Sequence, residues 1–153
     1  MTKVEIIQIL SGFVGTLGFT VLFNLRGKRL VFTALGGLLS WTLFVIFSWF
    51  IKSEPLNYFF VALIISAYAE IMARILKSPT TTFITASLIP LIPGGSLYYT
   101  MANAFGNNKE GFIEKGLYTL QLASALALGI IVAVAVTKII SDAAHKRMEK
   151  AEQ

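Results

Sequence analysis

Apolar stretches of about 20 residues, the length that spans about 30 Å of hydrocarbon, restrict this chain to helices packed across a bilayer. Five can be drawn, at roughly 4–25, 30–51, 56–77, 80–101 and 117–138. The fourth carries a break. Within residues 80–101 stand Pro90, Pro93, Gly94 and Gly95. Proline lacks the backbone donor and clashes with the preceding turn, and glycine is a poor helix former. In hydrocarbon, backbone groups freed by such a break must be satisfied by protein or water, so broken helices survive where they line a cavity. The expected fold is all-α: a single transmembrane domain over 1–153, an integral membrane bundle of five transmembrane helices, the fourth broken at Pro90–Gly95, with a tail at 139–153.

Composition excludes much else. Of 153 residues, 56% are hydrophobic and 14% charged, against about 45–50% and about 25% in soluble domains. There is no cysteine, and the one histidine, His145, sits in the polar tail. Disulfides, thiolate metal sites and a histidine-based triad are therefore not expected, and no cofactor is implied. A net charge of +5 would suit nucleic acid if clustered, but the basic residues stand at span ends, where membrane orientation accounts for them.

The first span lacks an Ala-x-Ala cleavage pattern and ends at Arg26, Lys28 and Arg29, which reads as a retained anchor. Five spans put the two ends on opposite sides. Nine of the thirteen basic residues (Arg26, Lys28, Arg29, Arg74, Lys77, Lys138, Lys146, Arg147, Lys150) fall on one side, and Lys3, Lys52, Lys109 and Lys115 on the other. The positive-inside rule then places the N-terminus outside and the C-terminus in the cytoplasm. Trp49, Tyr58, Tyr98, Tyr99 and Tyr118 fall at the outer span ends, as an aromatic belt. The segment 103–116 reads as a loop or surface helix, and Ser141–Gln153 as a solvated helical extension. Small-residue stripes (Gly12, Gly15, Gly18; Gly36, Ser40; Ala125, Gly129, Ala133, Thr137) suit close helix packing within or between subunits.

Few residues can carry chemistry. Pro90 removes the helical donor for the Ala86 carbonyl, and Pro93 that for Ile89. A second short helix can start after Gly94 and Gly95, with Ser96 at or near its N-cap. Its free N–H groups suit a carboxylate; the plainer reading is a packing kink that binds nothing. Pro90, Pro93, Gly94, Gly95 and Ser96 are the candidate substrate contacts, with Asn24 and Tyr98 as further candidates, Asn24 serving otherwise as a helix cap. Glu70 and Arg74, one turn apart, are either an interfacial ion pair or a coupling site, with Glu70 a proton carrier or Arg74 a carboxylate clamp. Trp41 and Tyr68 are expected to pack in the core. Thr85, Ser87, Ser96 and Thr100 are placed to satisfy freed backbone groups. No nucleophile–base pair, phosphate loop or metal-ligand spacing occurs, and an enzyme is not expected.

Several segments taken together resemble the threonine/serine exporter family in its C-terminal five-span half. They are Gly18-Phe19 and Leu22 to Asn24 ending the first span, Gly36-Gly37 with Trp41 in the second, Ala73-Arg74 with Lys77 and Pro79 closing the third, and Pro90 to Gly95 with Leu97-Tyr98 in the fourth. The likeness runs over roughly residues 10–135. In that family the transporter is either one ten-span chain or two separately encoded chains, and this chain looks like the smaller, C-terminal subunit. The resemblance implies a partner membrane subunit similar to the N-terminal half. It also implies export of small hydrophilic amino acids, or of a dicarboxylate such as succinate, driven by an ion gradient across the cytoplasmic membrane. The charge-derived orientation agrees with that division, since a five-span first half starting inside ends outside. Two alternatives stay open: a non-transporting assembly subunit, and a homo-oligomer in place of a hetero-complex.

Overall fold

The structure, a computed structural model, describes the backbone of residues 2–151 and the side chains of residues 2–141. In order come α1 (Lys3–Leu22), α2 (Lys28–Ser48), α3 (Glu54–Ile75), α4 (Thr80–Ser87), a 3-10 turn (Ile89–Leu91), α5 (Gly94–Phe105) and α6 (Lys109–Ala151). Among the described residues there is no strand. Helices α1, α2, α3 and α6 are long and apolar enough to cross a membrane. With 8 and 12 residues, α4 and α5 are each too short to do so alone.

Helices α1 and α3 stop three and two residues before the ends drawn from hydropathy. The reason is a shared C-terminal closure. Asn24 and Lys77 adopt left-handed φ values of 56° and 46°, which bring Leu25 N–H to the Thr20 carbonyl at 3.0 Å and Ser78 N–H to that of Ala73 at 2.9 Å. This six-to-one bond satisfies an orphan carbonyl of the last turn. Asn107 (φ 54°) ends α5 the same way, through Asn108 N–H to the Asn103 carbonyl at 3.0 Å.

The segment 103–116 is largely not a loop. Only Gly106–Asn108 separates α5 from α6. Asn108 Oδ1 caps α6 by accepting from Gly111 N–H at 3.1 Å. Gly111 and Gly116 are crossing points rather than breakers: a Cβ at Gly111 would press on Asn103, and one at Gly116 would sit 3.5 Å from Thr100. Of the tail, the helical backbone is described to Ala151, while the side chains of Asp142, His145, Lys146, Arg147, Glu149, Lys150 and Glu152 lie outside the described residues.

Side-chain pairs set the register. Helices α1 and α2 are antiparallel, with Thr16 against Gly37 and Gly12 against Trp41. So are α2 and α3, tied by Asn57 Nδ2 to the Phe44 carbonyl at 3.0 Å and Tyr68 O–H to the Phe32 carbonyl at 2.8 Å. Helices α3 and α6 run parallel: Glu54 meets Tyr118, Ala62 meets Gly129 and Arg74 meets Thr137. The core lies between them, built from Tyr58, Val61, Ala62 and Ile65 of α3, Leu88 and Leu91 at the turn, and Leu122 of α6. A smaller cluster seats α4 by burying Phe83 against Ala69 and Ala73.

Glycine lets the backbones close up where lipid supplies no hydrophobic drive. Gly36 faces Ser87, Gly37 faces Thr16, and Gly129 faces the α3 backbone at Phe59 and Leu63. Gly15 and Gly18 differ, facing open space.

Candidate functional site

The site grows from the segment that joins α4 to α5. Pro90 and Pro93 have no N–H to offer, so the helical ladder stops and a tighter pattern replaces it. Leu88 N–H still reaches the Ile84 carbonyl at 3.1 Å; then Leu91 N–H takes Leu88 at 2.9 Å and Ile92 N–H takes Ile89 at 3.1 Å. The Ile89 carbonyl is therefore not left without a donor, contrary to the sequence expectation, because a three-residue bond substitutes for the four-residue one. Leu91 is fully buried in the core and pins the turn. The Pro90 ring lies close to Gly12, halfway along α1.

Helix α5 begins at Gly94 with Pro93 as its N-cap and no side-chain cap. Ser96 is thus the third residue of the helix, near the cap as the sequence suggested, while Pro93 holds the cap position itself. Gly94 N–H turns back to the Ile92 carbonyl at 2.6 Å, and Leu97 N–H bonds Pro93 at 3.0 Å. Between them, the N–H groups of Gly95 and Ser96 have no backbone or side-chain acceptor among the described residues. They are the orphan donors of the first turn, at the positive end of the helix dipole.

Helix α5 then runs antiparallel to the start of α6. Thr119 Oγ1 lies 2.9 Å from Ser96 Oγ and 3.2 Å from Thr100 Oγ1, and Asn103 packs at Gly111. Tyr118 meets the start of α3, so Gly111 lies about 10 Å beyond that level at about 1.5 Å per residue. The turn therefore climbs from mid-height, at Pro90, to the level where α3 begins. It does not sit wholly at the centre of the bundle.

Where the turn departs from helix, a cavity of about 420 Å³ opens, within the about 300–1,000 Å³ usual for small-molecule sites. Pro90, Ile92 and Pro93 form one side, and Gly94, Gly95, Ser96 and Tyr99 another. Trp41 of α2, Glu54 and Tyr58 of α3, and Lys115, Tyr118 and Leu122 of α6 complete it. The Tyr118 hydroxyl donates to the Glu54 carboxylate. Lys115 Nζ lies 3.2 Å from Glu114, and no cation pairs with Glu54 among the described residues. Trp41 stacks on Phe44 with centroids 5.1 Å apart, and its Nε1 is buried without a partner among the described residues.

Five sequence candidates (Pro90, Pro93, Gly94, Gly95 and Ser96) come together here. Tyr98 does not: it is 68% exposed, and its neighbour Tyr99 lines the cavity instead. Asn24 is also apart. It sits in the closing turn of α1, accepting from Arg26 Nε at 3.1 Å, which is a capping position. Glu70 and Arg74 pair at 3.8 Å toward the C-terminal end of α3. They line a separate groove of about 260 Å³ with Ile71, Thr137 and Ile140, and Arg74 donates to the Thr137 carbonyl at 3.3 Å.

Sequence reasoning missed Glu54, Tyr58, Tyr99, Lys115, Tyr118 and Leu122 as cavity residues; Trp41 packs against the core as expected and lines the cavity as well. The tyrosines had been read as an interfacial belt, yet Tyr58 is 6% exposed and meets Phe44 edge-on at 5.2 Å. Charges at span ends are ordinary in membrane proteins, so Glu54 and Lys115 carried no signal. Tyr68 does pack as expected, through its bond to Phe32. Ser87 satisfies a neighbouring helix, at the Thr33 carbonyl, 3.3 Å away.

A family model described as "Threonine/Serine exporter, ThrE" matches residues 8–136. No curated protein and no solved structure matches the chain.

Proposed function

The chain belongs to the threonine/serine exporter family, and from that premise we propose that it is one subunit of a secondary transporter whose substrate rests in the cavity at the α4–α5 turn. It is a multi-pass membrane protein of a transport family, not an enzyme family. In the proposal, α4, the turn and α5 act together as a discontinuous fifth crossing. The substrate is a small amino acid of the threonine/serine type or a dicarboxylate such as succinate. Its carboxylate sits on the free N–H groups of Gly95 and Ser96, as helix N-termini receive anions. The observation that carries the reading is the coincidence of those donors with a cavity that α2, α3, the turn, α5 and α6 all wall.

Further parts of the reading rest on sequence. The charge bias favours the N-terminus outside and the C-terminus in the cytoplasm, so the cavity belongs to the outer half of the cytoplasmic membrane. A second membrane subunit resembling the family's N-terminal half completes the transporter. The deciding experiment reconstitutes this chain, that partner and the pair in liposomes, and measures efflux of threonine, serine and succinate. Efflux that needs both chains supports the proposal. Full efflux from the partner alone makes this chain an assembly subunit, the alternative reading.

Coupling to the ion gradient is proposed for Glu70, a carboxylate paired only loosely with Arg74 and costly to keep charged in a membrane. Glu70→Gln is expected to abolish gradient-driven export while substrate exchange continues. Unchanged gradient dependence would remove Glu70 from this role.

A further inference from the structure

We infer that Glu54 is the residue that reads the substrate's ammonium group, making the cavity selective for a zwitterionic amino acid over a dicarboxylate. The inference rests on the cavity's being the substrate site, as proposed above, and concerns which groups at that site choose the substrate.

Three observations carry it. First, among the described residues Glu54 is the one carboxylate lining the cavity, and no lysine or arginine lies within ion-pair distance of it. Lys115, a cation that also lines the cavity, lies against Glu114. Second, Glu54 is held in place. The Tyr118 hydroxyl donates to it across the α3–α6 interface, so its charge is oriented. Tyr118 acts as a positioning residue. Third, four aromatic side chains share the lining: Trp41, Tyr58, Tyr99 and Tyr118. Aromatic faces attract a cation through the ring quadrupole. An unneutralised carboxylate among aromatic rings is a corner that calls for a positive charge.

The start of α5, which lines the same cavity, has the complementary preference, because the N–H groups of Gly95 and Ser96 offer donors to an anion. A zwitterion satisfies both ends at once. A dicarboxylate with one end on α5 brings a second negative charge into a cavity that already holds Glu54 and whose cation, Lys115, is engaged by Glu114, and like charges brought together are penalised.

The test measures equilibrium binding to this chain assembled with the partner subunit proposed above, in lipid nanodiscs, using threonine and 3-hydroxybutyrate. The second probe keeps the carboxylate and the hydroxyl and lacks only the ammonium. Wild type should prefer threonine, and Glu54→Gln should weaken threonine by about tenfold or more while moving 3-hydroxybutyrate by less than about twofold, since a hydrogen bond to a charged group is worth about 1.5–3 kcal/mol. Tyr118→Phe keeps the carboxylate and removes its tether; it should cost threonine about threefold and leave 3-hydroxybutyrate alone. That variant decides the matter if Glu54→Gln does not fold. Equal weakening of both probes, or an unchanged preference, overturns the role of Glu54 while leaving the cavity as the site. Wild type binding neither probe overturns the carrier reading itself, and this inference with it.

Discussion

Gly129→Leu should abolish accumulation of the folded chain. Among the described residues, helices α3 and α6 share the most extensive interface, and Gly129 packs directly against the α3 backbone there. A Cβ there would fall 2.9 Å from Ala62 Cβ and 3.1 Å from the Leu63 backbone nitrogen, and would also press on the Phe59 carbonyl. Backbone cannot rotate out of the way as a flexible side chain can, so the two helices must separate. Overpacking a well-filled interior typically costs about 1–3 kcal/mol, and an obstruction made of backbone belongs at the upper end, about 3 kcal/mol. Separation would also pull Tyr118 from Glu54 and Thr137 from Arg74, since both contacts cross the same interface. The measurement is the yield of monodisperse protein in detergent and its thermal midpoint. Gly15→Leu is the matched control, because a Cβ at Gly15 meets nothing within 4 Å. It should leave the isolated chain unaffected. Equal damage from both substitutions would mean that helix propensity, and not the close approach at Gly129, sets the cost.

The second large effect is on transport without loss of fold. Gly94 and Gly95 line the cavity, and neither has any atom within 4 Å of a built Cβ. Leucine at both positions should therefore enter open space at the cavity wall and occupy room the substrate needs, while the core stays intact. Substrate flux in the reconstituted system should fall by about tenfold or more, the change that about 1.4 kcal/mol of lost binding produces, with little change in thermal midpoint. Combining Gly94→Leu with Pro93→Ala, which restores a backbone donor, should give the same loss. Normal flux in a well-folded double variant would remove the turn from the mechanism.

Much of the scaffold was legible in the sequence because its signals are local or periodic. Apolar length marks helices whatever their neighbours, and Pro90, Pro93, Gly94 and Gly95 announce a departure from helix wherever they fall. The Ala125, Gly129, Ala133 ladder spelled out a packing face, since a period of four residues keeps one side of a helix. What it packs against was not legible. The stripe at Gly12, Gly15 and Gly18 has a similar pattern, yet only Gly12 packs within the chain, against Trp41 and Pro90. Periodicity describes one helix and is silent about the second.

The cavity shows the same division more sharply. Sequence by itself determined that the chain is helical and suited to a membrane, and that its helical ladder fails near Pro90, because covalent backbone chemistry and apolar length act within a segment. It also singled out the short helix start that holds Gly95 and Ser96. Tertiary structure alone decided that Tyr99 and not Tyr98 borders the cavity, since one residue on a helix turns the side chain by about 100°. It alone brought Glu54 to Tyr118 and set Trp41 beside the turn. Those residues lie on different helices, far apart along the chain, and only the parallel register of α3 and α6 places them around one space. Residues that meet through packing leave no mark on the segments that carry them.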